Sequence, residues 1–177
     1  TAGAGPLTVV AGAVPAEVDR AAGLRAQTEL AHRLTDIVIK IDEQLSMLTM
    51  EFGNNLLAET NDYQLVVEDE ADLAGLPESV RSAAAETAEK AGRPGTWMFT
   101  LQKPSWIPFL QYADNRQLRE ELYTAMFMRS DNGNQYDNKE IIKQIVSLRI
   151  ERARLLGYDT HAEFMLVDRM AGEPGNV

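Results

Sequence analysis

Two histidines, His32 and His161, carry the only imidazoles in the sequence. A metal-activated water needs two such ligands one helical turn apart with an acid beside them, as in a His-Glu-x-x-His helix. Here neither histidine has another four residues away, and the nearest fragment, His161-Ala162-Glu163, lacks a second ligand. Both therefore read as surface or capping histidines. Counting alone leaves a Ser/His/Asp triad open, but no Gly-x-Ser-x-Gly elbow presents a serine to it. Neither a Walker loop nor a Gly-x-Gly-x-x-Gly fingerprint is present. With no cysteine in the chain, disulfides, cysteine nucleophiles and thiolate metal sites are all excluded.

The acids and aromatics fare no better. Glu68, Asp69, Glu70 and Asp72 form an acidic run, but without the central glycine and terminal glutamate of a calcium loop. They read as a solvated turn. Asp131-Asn132-Gly133-Asn134 starts like a calcium loop, yet no glutamate follows in register, so it too reads as a turn. Trp97, Phe99, Trp106, Phe109 and Tyr112 form an aromatic band, expected to be a small core, with a peptide- or sugar-binding shelf as the alternative. The sequence thus assigns no catalytic, cofactor-binding or metal-ligating residue.

Composition narrows the partners. The net charge is −10, from 27 acids against 17 bases. Nucleic-acid affinity comes mainly from Lys and Arg neutralising phosphates, so neither nucleic acid nor an anionic membrane surface is the expected partner. No stretch approaches the roughly 20 apolar residues needed to span a bilayer. The expected compartment is the cytoplasm, with the periplasm left open. Residues 1–14 are small and apolar, but they have no basic start and no apolar core for a signal peptide.

The elements are mostly helical. Apolar residues at Leu30, Leu34, Ile37, Ile41, Leu45, Leu48, Phe52 and Leu56 keep one stripe on one helix face. A helix over 18–59 would be roughly 60 Å long. Its interior Gly53 costs about 1 kcal/mol relative to alanine. Residues 63–67 and 96–101 read as two strands able to pair across an intervening helix, which opens at Pro77 and closes at Gly92. Pro104 and Pro108 predict an extended, irregular stretch. Asp114 with Gln117, Asp137 with Glu140, and Thr160 with Glu163 have capping-box spacing, so three further helices follow. Gly157 is expected to end the second, and the third is expected to run as far as Met170. Chain end and helix end then nearly coincide, which reads as a truncated chain. The expected organisation is an irregular segment over 1–16 and a long helical arm over 17–62. A strand-helix-strand and proline-rich element follows over 63–113, then a helical segment over 114–177.

The order of landmarks carries a resemblance. Glu51-Phe52-Gly53-Asn54-Asn55-Leu56-Leu57, Leu73-Ala74-Gly75-Leu76-Pro77 and Phe99-Thr100-Leu101-Gln102-Lys103-Pro104-Ser105 come first. Next are Asn115-Arg116-Gln117-Leu118-Arg119-Glu120-Glu121-Leu122-Tyr123 with Ala125, then Asp137-Asn138. Leu148-Arg149, Glu151, Ala153, Leu155-Leu156-Gly157-Tyr158 and Met170-Ala171 complete the run. In this order the chain resembles the zinc oligopeptidase family of thimet oligopeptidase, oligopeptidase A and bacterial peptidyl-dipeptidase. The form Trp97-Met98-Phe99-Thr100-Leu101 looks most like the peptidyl-dipeptidase branch, and residues 1–30 carry no clear match.

The resemblance implies a mainly α protein with a small two-stranded β element, part of a channel-forming helical peptidase fold. It implies a parent enzyme that hydrolyses short peptides with zinc held on a His-Glu-x-x-His helix, which lies downstream of the matched region in such enzymes. This chain would be an N-terminal, non-catalytic portion, inactive alone and binding no zinc itself. The alternative is an independent helical interaction module. Either way, the apolar stripe over 30–56 predicts self-association of the isolated chain.

Overall fold

The computed structural model describes residues 15–177. The expected irregular segment over 1–16 falls almost wholly outside the described residues. The described chain divides into two compact units, one formed by Leu45–Arg149 and the other by the residues up to Gln44 together with Ile150–Val177.

Helix α1, Pro15–Asp62, is 48 residues long, or about 72 Å at 1.5 Å per residue. It outruns the predicted end by a turn, because Thr60 folds its hydroxyl back onto the Leu56 carbonyl and so sits within the helix. Thr28, Thr35 and Thr49 do the same further back. The predicted stripe is the protected face from Ile41 onward: Ile41 is buried, and Leu45, Leu48, Phe52 and Leu56 are half-buried. Before Ile41 the stripe is largely open, with Leu30 58% and Ile37 41% exposed.

Within the unit Leu45–Arg149, strand β1 (Leu65–Val67) pairs antiparallel with β2 (Trp97–Phe99), Leu65 opposite Phe99 and Val67 opposite Trp97. Helix α2 (Glu78–Lys90) connects them and packs on β2. Pro77 is the residue before that helix rather than its first member, since its carbonyl accepts the first helical bond from Arg81. At the other end Gly92, with φ +75°, takes the left-handed conformation. Its N–H bonds Glu89, and Arg93 reaches back to the Ala88 carbonyl, which closes the helix as a Schellman motif. The acidic run folds as a short 3-10 turn, Glu70–Leu73, capped by the Asp69 side chain on the Ala71 N–H.

The irregular stretch expected at Pro104 and Pro108 is instead helix α3, Lys103–Tyr112. Pro104 lies in the first turn, where a missing N–H costs nothing. Pro108 does remove an interior hydrogen bond, a defect of about 3 kcal/mol. Its neighbour Phe109 is fully buried, however, which contributes about 2–3 kcal/mol, and Trp106 and Leu110 add further packing on the same core. Burial outweighs the defect. Helix α4 (Arg116–Phe127) follows and packs on α3, burying Leu122 completely.

Two capping assignments change. Asn115, not Asp114, caps α4, its side-chain oxygen accepting from the Gln117 and Leu118 N–H groups. Before helix α5, Lys139–Leu155, Asp137 accepts from the Lys139 and Gly133 N–H groups, while Glu140 pairs with Lys143 instead of closing a capping box. The Gly157 cap forms as predicted, with φ +86° and Tyr158 reaching back to the Ala153 carbonyl. Helix α6 (His161–Leu166) has the full Thr160–Glu163 capping box. It ends at Leu166 rather than near Met170. Val167 and Met170 are exposed, so nothing apolar holds a further turn, and a helix this short depends on packing.

Candidate functional site

The residues singled out for chemistry take up structural work or stand apart. His32 is exposed on α1, and His161 is the first residue of α6. In that unit Arg152 pairs with Asp42 at 2.5 Å and lies 4.9 Å over the Phe164 ring, which Tyr158 meets edge-on. Of the acidic run, Asp69 caps its turn and Asp72 accepts a 2.8 Å bond from Asn115. Among the described residues no three His, Asp or Glu side chains converge as a metal-ligand set, so the residues present do not fit zinc. The aromatic band divides. Phe99 and Phe109 form the core, edge-to-face at 4.5 Å; Trp97 and Trp106 pack against it; Tyr112 is 45% exposed.

Sequence reasoning missed a polar hub that clasps the loop between α4 and α5 to the end of α1. Glu59 accepts from the Ser130 N–H and from the Asn132 and Asn134 amides, the latter two at 2.8 and 2.7 Å. Ser130 is held buried at φ +60°, a conformation an L-residue rarely adopts unless its surroundings enforce it. Behind it Asn138, 1% exposed, accepts from Asn55 and donates to the Phe52 carbonyl, each at 3.0 Å. Tyr136 donates to Asp62, and Arg129 to the Thr60 hydroxyl. The partners are 69 to 86 residues apart in sequence, so no local pattern announces them.

Burial raises the Glu59 carboxyl, but the bonds from Asn132, Ser130 and Asn134 prevail, and its pKa lies below the ordinary carboxylate value. A lowered folded-state pKa stabilises the fold above the unfolded-state value, and this contribution is lost as pH falls through the folded one. Glu59→Gln should therefore be less stable than the wild type at pH 7, and the gap should narrow as pH falls below the ordinary carboxylate range. Urea midpoints across that range measure it; a gap independent of pH would show that the charge is idle. Tyr63 moves the other way, its phenol pushed up to about 12 by burial and then by the charge of Glu121.

Two grooves mark the surface of this unit. One, of about 220 Å³, runs between α2 and β2, over Ala83, Ala84 and Thr87 and beside Met98 and Thr100. The other, of about 350 Å³, lies between α3 and α4 and is lined by Leu110, Arg116, Arg119, Glu120 and Tyr123. Beyond its end Phe127 stacks on Tyr123, ring centroids 4.3 Å apart.

These elements have counterparts in known peptidases. Residues 109–177, from within α3 to the C-terminal residue, match the model for Peptidase family M3. Oligopeptidase A of Haemophilus influenzae is 39% identical over 159 residues, which is 88% of this chain and 23% of that protein. Probable cytosolic oligopeptidase A of Arabidopsis thaliana is 38% identical over 75% of this chain and 20% of its own length. Dipeptidyl carboxypeptidase of Escherichia coli is 33% identical over 76% of this chain, again 20% of its own length. The chain is thus related, over most of its length, to the Peptidase M3 family of oligopeptidases and dipeptidyl carboxypeptidases, and spans less than a quarter of these relatives.

Both kinds of relative that the resemblance named are matched, with identity of 39% and 38% to the oligopeptidase A proteins and 33% to dipeptidyl carboxypeptidase. One expectation shifts: a match over 88% of the chain reaches into the first 30 residues, where no landmark stood out.

Proposed function

We propose that this chain is a non-catalytic, N-terminal helical portion of a larger zinc-dependent peptidase that hydrolyses short peptides, and that it serves as scaffold and wall of the substrate channel. The observation that carries the reading is a 39% identity spread over 88% of this chain yet only 23% of the oligopeptidase relative. On this reading zinc, its ligands and the general base belong to the remainder of the larger protein. The organisation that goes with it is the one read from the sequence: a long helical arm over 17–62, a strand-helix-strand element over 63–113 and a helical segment over 114–177. The proposed setting is the cytoplasm, with the periplasm as the alternative. Separately, no described helix is long and apolar enough to cross a membrane.

The test compares the full-length protein with the 177-residue chain on a quenched fluorescent oligopeptide. The full-length protein should turn it over and lose activity to a chelator, while the chain alone stays silent with or without zinc. Metal-dependent turnover by the chain alone would overturn the assignment.

The second reading, an independent interaction module, draws on the open part of the α1 stripe at Leu30 and Ile37. Self-association through it is expected in either case, as a sedimentation coefficient that rises with concentration and stops rising in Leu30→Glu. A wild-type monomer at all concentrations would count against it.

A further inference from the structure

The groove between α3 and α4 carries chemistry that the fold leaves unused. Arg119 turns its guanidinium to the backbone carbonyls of Ala113 and Asp114, so no carboxylate cancels its charge. Arg116 is exposed and makes no hydrogen bond or ion pair among the described residues. Glu120 lies one turn on, but Arg placed before Glu is the poorer order for such a pair, and the two do not bond. The groove is therefore locally cationic on a chain whose net charge is −10. Beside it Tyr123 is 51% and Phe127 63% exposed, pre-stacked and fixed on a helix anchored by the buried Leu122 and the Asn115 cap. Exposed aromatics next to an unpaired arginine have the composition of an interface centre.

We propose that this groove docks a segment of the same polypeptide outside these 177 residues, one that sets a carboxylate against Arg116 and an apolar side chain on the Tyr123–Phe127 pair. The inference rests on the reading of the chain as part of a longer peptidase. It favours a tethered occupant because the chain spans 23% of its oligopeptidase relative, and a tethered segment meets the groove at high effective concentration. Charge complementarity selects the acidic character of that segment.

The experiment is photocrosslinking in the full-length protein, with Tyr123 replaced by a benzophenone-bearing phenylalanine and the products mapped by mass spectrometry. The expected product is an intramolecular crosslink to an acidic segment outside residues 1–177, its yield lowered about tenfold by adding Arg116→Glu. Crosslinks only between two molecules, only to an added oligopeptide, or none at all would each overturn the proposal. Peptide turnover by the same preparation separates the two claims. Turnover without the crosslink sinks the docking surface alone, and the crosslink without turnover sinks the activity alone.

Discussion

Replacing Gly75 by alanine should destabilise the chain by about 2–5 kcal/mol, the largest loss expected from adding a Cβ at any of the described glycines. Gly75 has φ +85°, where a Cβ costs about 1–2 kcal/mol on backbone sterics alone. That Cβ would also lie 2.2 Å from the Tyr112 carbonyl oxygen and 2.8 Å from an Asp114 carboxylate oxygen. The first obstacle is backbone and cannot swing away. It belongs to the joint where the Asp114 N–H bonds the Ala74 carbonyl at 2.8 Å, so relief would mean parting the 3-10 turn from the end of α3. The Leu-x-Gly-Leu-Pro landmark thereby acquires a cause: Leu73 and Leu76 fill the core, Gly75 admits the α3 end, and Pro77 launches α2. Urea denaturation measures the loss, with Gly53→Ala as the control. Gly53 lies inside α1 with nothing near its missing Cβ, so alanine there should stabilise by about 0.5–1 kcal/mol. A Gly75→Ala loss no larger than about 1 kcal/mol would rule out the close approach.

Phe109→Ala is expected to cost about 3–5 kcal/mol, the range for emptying a fully buried aromatic site. Part of that is specific to geometry, because the edge-to-face contact with Phe99 contributes about 0.5–1.5 kcal/mol beyond area. A double-mutant cycle with Phe99→Leu should return a coupling of that size. The loss should be concentrated in α3. With Phe109 gone, the hydrogen bond missing at Pro108 is no longer offset, and amide exchange in Lys103–Tyr112 should quicken more than in α4. Uniform acceleration through both helices would mean that Phe109 does not anchor α3 in particular.

How much of this was legible follows from the range of the forces involved. The α1 stripe, the Schellman glycines and the Thr160–Glu163 box depend on residues within one or two turns, and the sequence displays them. The paired strands were readable as short apolar runs bounded by turns. Helix α3 was not, because Pro104 and Pro108 argue locally against it and the decisive burial of Phe109 comes from elements distant in sequence. Asp114 was read as the cap from its spacing to Gln117, but its carboxylate lies beside Gly75 and its neighbour Asn115 accepts from the helix N–H groups instead. The Glu59 hub was invisible for the same reason as α3, since only the tertiary fold brings its residues together. The groove residues Arg116, Arg119, Glu120 and Tyr123, by contrast, share one face of α4, and only the packing of α3 beside them was hidden. The histidines are the opposite case, since a count of two and their spacing already removed the zinc helix.

The bend that joins α2 to β2 has a practical side. Gly92 and Gly95 both adopt positive φ and lie in an exposed stretch, and a methyl group added to either would meet no atom within 4 Å. Besides the Schellman bonds, the Arg93 carbonyl accepts from the Thr96 hydroxyl at 2.9 Å. The Schellman bonds end at Arg93, and β2 begins only at Trp97. A fluorophore or short affinity epitope spliced between Arg93 and Gly95 would therefore report on this unit from outside its packing. It would give the chain a handle that spares the core, the Glu59 hub and the α3–α4 groove alike.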